Sequence, residues 1–95
     1  MNELFDRQMT ALRRMIGDYR QDALDLNSLI QRIEGISDVL DIQAWRDAVF
    51  PVVMSMEQVN AVAIDGRRAL TKYDKYQIEK SLLQLEALID YFQGA

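Results

Sequence analysis

The chain has no cysteine and no histidine, a single proline, and no apolar run that approaches a membrane span in length. Each absence removes a class of chemistry. Without cysteine there are no disulfides, no thiolate metal sites and no thiol nucleophile, a composition that suits a reducing compartment. Without histidine the commonest metal ligand, the usual general base near neutral pH and every Ser-His or Cys-His arrangement are missing. Any catalysis would fall to carboxylates, lysines and tyrosines, so a non-enzymatic protein without cofactor or metal is expected. The longest apolar stretches, AVFPVVM at 48–54 and AVAI at 61–64, fall far short of the roughly 20 residues that cross a bilayer. The opening MNELFDRQMTALRRMIGDY is charged at Glu3, Asp6 and Arg7 and lacks the unbroken apolar centre of a secretory signal. A soluble, cytoplasmic protein with no membrane partner follows as the expectation.

What is present is the composition of a folded domain: 95 residues, 49% hydrophobic and 27% charged. That length allows one domain, spanning 1–95, whose core buries roughly 60–70% of the unfolded chain's surface. Helical periodicity dominates. Phe5, Met9, Leu12, Ile16 and Tyr19 step by four and three, and Ile78, Leu82, Leu85, Ile89 and Phe92 repeat that spacing. Two long outer helices are predicted, at about 2–19 and 72–92. Leu26, Leu29, Ile30, Ile33 and Leu40 predict a second helix with Asp25 as its N-cap, and Gly35 within it marks a bend or a close helix crossing.

The only proline divides the middle of the chain. IQAWRDAVF reads as a short helix, and Pro51, lacking an N–H and clashing with the carbonyl of Asp47, is expected to break it. Ser55 with Gln58 has the spacing of a capping box and opens MEQVNAVAID, which is apolar on nearly every side. Val59, Val62 and Ala63 are therefore expected to be almost fully buried against Leu12, Ile16, Ile33, Leu82 and Leu85, and Val62→Asp to prevent folding. Gly66 is placed to end the segment in the left-handed region, and Thr71 with Asp74 to start the last helix. The predicted fold is all-α: a compact four-helix bundle with the third helix broken near Pro51 and breaks at 20–25, 51–54 and 66–71.

Charge is unevenly spread. Residues 18–47 hold seven acids against three arginines, which accounts for the whole net charge of −4. On a helix advancing 100° per residue, Glu34, Asp38 and Asp41 fall within about 60° of one another, away from the Leu26/Leu29/Ile33 stripe, with Arg32 on the opposite flank. Such a stripe is either a solvated face or a docking surface for a basic partner, whose cations would relieve the repulsion and speed association. Trp45 and Phe50 follow on the short helix. Both suit core packing, and an exposed Trp45 would instead be a binding anchor beside the acids. Between Gly66 and Lys80, Arg67, Arg68, Lys72, Lys75 and Lys80 are interleaved with Tyr73 and Tyr76. Basic residues with aromatics can bind single-stranded nucleic acid, but a sequence pI near 4.7 argues against it. Carboxylate pairs such as Asp22 with Asp25, or Glu34 with Asp38, lack the cleft and the contrasting environments that acid–base catalysis needs. No calcium-loop spacing is present.

LNSLIQRIEGISDVL, WRDAVFPVVMSMEQVNAVAID and LTKYDKYQIEKSLLQLEALI resemble small helical bacterial immunity proteins, in helix layout, acidity and the loose pattern LIxRIEG…W…F…E…A. These protect a cell from its own colicin-type or contact-dependent growth-inhibition toxin. The resemblance implies a single-domain inhibitor that binds the toxin's effector domain, often a basic nuclease, and covers its active site with acidic groups. It carries over no individual residue. The physical argument nominates Glu34, Asp38 and Asp41 as partner-binding, with Asp22, Asp25 and Asp47 as neighbours and Trp45 as the anchor. The alternative is a helical adaptor or homodimeric assembly subunit that uses an apolar helix face.

Overall fold

In a computed structural model, residues 3–94 are described, and four helices account for most of them: α1 (Glu3–Arg20), α2 (Leu26–Leu40), α3 (Gln43–Asp65) and α4 (Lys72–Gly94). No strand occurs among the described residues. The expected helix start at residue 2 lies outside them. Successive helices are antiparallel neighbours, α1 closes the ring against α4, and α2 lies diagonally across from α4. The bundle is thus the all-α, four-helix architecture that the periodicity predicts.

Each helix contributes its apolar stripe. Phe5, Met9, Leu12 and Ile16 of α1, Leu29 and Ile33 of α2, and Ile78, Leu82, Leu85 and Ile89 of α4 are all fully buried. Trp45 of α3 joins Phe5 and Phe92 in an aromatic cluster, edge-to-face with each at centroid separations of 5.9 and 5.4 Å. Quadrupoles favour that arrangement over stacked rings. Two helix starts are as predicted. Asp25 Oδ1 accepts the Ser28 backbone N–H at 2.7 Å, and Thr71 and Asp74 exchange side-chain-to-backbone hydrogen bonds of 3.0 Å in a complete capping box.

The middle of the chain departs from expectation. α3 runs unbroken through Pro51. The proline removes one hydrogen bond to the carbonyl of Asp47, but both residues are exposed, so water can take the missing donor's place. On the inner side Trp45, Val49, Val52, Val53 and Met56 form one buried stripe that spans the proline. Burying five large side chains at about 1.5–3 kcal/mol each outweighs the roughly 3 kcal/mol that an interior proline costs. Ser55 caps nothing; its hydroxyl donates to the carbonyl of Pro51 at 3.1 Å. The real break comes earlier, at Asp41 and Ile42. Asp41 adopts φ 51° and ψ 44°, and its N–H donates to the Ser37 carbonyl at 3.2 Å. At the other end Gly66 is right-handed (φ −78°), and Arg67 takes the left-handed position (φ 50°) one residue later than expected.

Burial along α3 is also shifted. Ala63 is buried and Val59 half-buried, but Val62 is 59% exposed. Val62 lines an open groove between α3 and α4 with Val59, Tyr73 and Gln77, on a flank of α3 that its neighbours leave uncovered. Apolar composition around the whole circumference therefore does not make this segment central. Gly35 likewise marks no crossing: a Cβ there would meet nothing within 4 Å, and α2 passes through it intact.

Two stability measurements follow. In urea unfolding, Leu82→Ala should cost about 2–5 kcal/mol, whereas Val62→Asp should stay within about 1 kcal/mol of the parent; equal losses would reject the burial pattern. Gly35→Ala should raise the midpoint, with a gain of about 0.5–1 kcal/mol from the reduced entropy of the unfolded chain.

Candidate functional site

Glu34, Asp38 and Asp41 are all exposed, as the helical wheel suggests, but they do not form one stripe on the outermost face of α2. Glu34 and Asp38 sit on the shoulder of α2 that looks towards α3, because Ser37, Ile33 and Ile30 carry the buried seam beside them. Two hydrogen bonds hold this seam in register. Trp45 Nε1 donates to Ser37 Oγ at 2.9 Å, and that hydroxyl donates to the Ile33 carbonyl at 3.0 Å. Towards the other end, Asn60 Nδ2 donates to Asn27 Oδ1 at 3.1 Å.

Between these ties lies an open groove of about 330 Å³. Val49, Phe50, Val53 and Met54 make its apolar surface, Glu34 and Asp38 form one wall, and Glu57 stands on the other. Phe50 is 63% exposed and Met54 38% exposed, while Trp45 is fully buried. The core reading of Trp45 holds while its nomination as partner-binding falls, and the core reading of Phe50 is corrected. Trp45 is a core residue and cannot anchor a partner, and Phe50 belongs to the surface and not to the core. A helix turns by 500° between them, which leaves the two rings about 140° apart.

The remaining nominated residues do not share one patch. Asp41, left-handed at the helix end, is paired with Arg46, whose Nη1 lies 3.0 Å from its carboxylate. Arg46 lines the end of the same groove. Asp47 accepts a 2.7 Å hydrogen bond from Gln43 Nε2 on its own helix. Asp22 and Asp25 sit at the other end of α2, about 22 Å away by helix rise, around a depression with Tyr19, Leu70 and Lys75. There Asp25 is occupied in capping, and the Ser28 N–H holds its carboxyl below the usual range.

Ion pairing elsewhere sharpens the contrast. Arg20 bridges Glu79 and Glu86 of α4 at 2.7 and 2.8 Å, Arg13 pairs with Asp90, and Arg68 pairs with Asp74. These cations hold Glu86 and Asp74 below the ordinary carboxylate range. Among the described residues no cation pairs with Glu34, Asp38 or Glu57. Glu34 is instead pushed up to about 7, first by sharing a hydrogen bond with Glu57, then by partial burial, and then by the charges of Glu57 and Asp38. The groove thus combines exposed apolar surface with negative charge that the protein itself leaves unneutralised. An opposing Lys or Arg would replace a proton there.

Sequence reasoning missed Glu57, Phe50 and Met54. The 140° separation from Trp45 was a usable signal for Phe50. Glu57 carried none, since its meeting with Glu34 depends on the register between two helices.

A titration tests this electrostatic reading. The Glu34 carboxyl, followed by NMR, should titrate near 7, and Glu57→Gln should return it towards the ordinary value of 4.5. Because the folded pKa is raised, this group's contribution to stability is full below about 4.5 and is lost as pH rises through 7; the variant should lose that slope. Asp74 and Glu86, held low by their arginines, act oppositely, their contribution being present above the ordinary carboxylate range and lost as pH falls below it. No family model, curated protein or solved structure matches the chain.

Proposed function

We propose that this protein is a non-enzymatic inhibitor of the immunity type, which uses the α2/α3 groove to bind and occlude the basic effector domain of a toxin made by the same cell. The observation that carries the reading is the pairing of exposed Phe50 and Met54 with Glu34, Asp38 and Glu57 in one groove. An aromatic anchor framed by unneutralised acids suits a partner that presents an apolar pocket ringed by lysines or arginines. Nuclease domains are such partners, because their own substrate is a polyanion. Covering the cationic surface that holds the nucleic acid would block activity without any chemistry by the inhibitor. No helix among the described residues is long and apolar enough to cross a membrane, which is compatible with an inhibitor acting in solution.

The decisive experiment expresses the chain together with the effector domain encoded beside its own gene. Growth should be protected, and light scattering should find one inhibitor bound to each effector domain. Glu34→Lys with Asp38→Lys and Glu57→Lys should slow association by roughly 10–100-fold and abolish its salt dependence. Phe50→Ala should accelerate dissociation and cost about 2 kcal/mol. The control is a triple change at Lys72, Lys75 and Lys80, which should leave both rates near parental values. A neighbour that harms no cell, or protection that survives the groove variants, would reject the reading.

A further inference from the structure

We infer that the groove between α3 and α4 is a second ligand site, shaped for a nucleoside monophosphate. This groove, about 610 Å³, runs along the flank of α3 away from Glu57 and Phe50. Its floor is polar. Among the described residues three polar side chains are buried, those of Ser37, Asp74 and Ser81. The fold satisfies the first through Trp45 and the Ile33 carbonyl, and the second through Arg68 and Thr71. Ser81 is only 5% exposed and lines the groove, yet its hydroxyl has no hydrogen-bond partner among the described residues. Since no enclosed side-chain polar atom there lacks a partner, the accessible part of Ser81 is that hydroxyl, and it opens onto the groove. The half-buried Gln77 and the exposed Gln58 and Gln84 line the same groove with carboxamides that no other described side chain engages. A set of donors and acceptors is thus held beside a nearly buried hydroxyl, unused by the fold.

The chemistry changes along the groove in an order that selects the ligand. At one end Tyr73 of α4, 70% exposed, and Val59 and Val62 of α3 supply the two sides of a slot for a planar ring. One turn further along, Gln77 and, from α3, Gln58 can donate and accept together, as base edges and sugar hydroxyls require. About 10–12 Å from Tyr73 by helix rise come Lys80 and Ser81, with Gln84 beyond them, and each can donate to an anion. Lys80 lies over the Tyr76 ring at 5.6 Å and forms no ion pair among the described residues, whereas Arg68, at the ring end, is taken by Asp74. The groove's unneutralised positive charge therefore lies away from the ring slot, about as far as the phosphate of a mononucleotide lies from its base. A chain of net charge −4 repels a long polyanion, so a free mononucleotide suits this surface better than a nucleic-acid strand. The site shares no residue with the α2/α3 groove, and the inference stands independently of the inhibitor reading.

The test is an NMR titration of the full chain with AMP, GMP, CMP and UMP. At least one should give saturable shifts confined to the groove, with an affinity of about 1 mM or tighter. The matching nucleoside, lacking the phosphate, should bind about tenfold more weakly. Lys80→Gln and Ser81→Ala should each weaken the nucleotide by about three- to tenfold with unchanged circular dichroism. Tyr73→Ala should weaken the nucleotide by about tenfold and leave the response to inorganic phosphate unchanged. No saturable shift with any of the four, or undiminished binding by the Lys80→Gln variant, would overturn the site. Inorganic phosphate matching the nucleotide's affinity would show an adventitious ion only and overturn the ring slot. A single-stranded tetranucleotide bound about tenfold more tightly than the mononucleotide would overturn the choice of a free nucleotide.

Discussion

The indole N–H of Trp45 can be buried only if something accepts its hydrogen bond, and that requirement organises the molecule. Ser37 Oγ is the acceptor, and Ser37 is itself held on α2 by the Ile33 carbonyl. One polar link therefore fixes how α3 sits along α2, while the Trp45 ring touches Phe5 of α1 and Phe92 of α4. All four helices meet at this residue. A buried indole without its partner would cost about 1–3 kcal/mol, comparable with a large share of a small domain's stability. The same link sets which surface residues become neighbours, bringing Glu34 and Asp38 into the groove with Glu57 and turning Phe50 outward.

Charge is distributed with equal consequence. α1 and α4 touch less extensively than the other neighbours, and arginines compensate: Arg20 spans two glutamates seven residues apart on α4, and Arg13 holds Asp90 further along. Planar guanidinium groups suit such bidentate work. Committing these cations to the α1/α4 closure leaves the α2/α3 side negative. The groove's acidity is thus a result of where the arginines are used, and the repulsion between Glu34 and Glu57 persists because, among the described residues, no cation pairs with either and Arg46 at the groove's end is taken by Asp41.

Much of this was legible beforehand. The four-and-three spacing along α1 and α4 identified both helices and their buried faces, because amphipathic periodicity reports directly on which side meets the core. Asp25 and the Thr71/Asp74 box were readable because capping is a local exchange of hydrogen bonds within four residues. Pro51 misled, since its local penalty was set against burial contributed by other helices. Val62 misled for a related reason: a short sequence records apolar composition but not which flank of a packed helix its neighbours leave open. Within the nominated acidic stripe, Glu34 and Asp38 stayed together, whereas Asp41 left it through a backbone turn and an ion pair with Arg46.

By itself the sequence determined the all-α class, the four helices, the starts of α2 and α4 and the concentration of negative charge in residues 18–47. All of these depend on contacts within a turn or two of helix, or on simple counting. Only the tertiary structure decided that α3 survives its proline, that Trp45 is inside and Phe50 outside, and that Glu57 joins Glu34. These outcomes turn on the register of packed helices, where burial energies summed over many distant residues outweigh any single local preference.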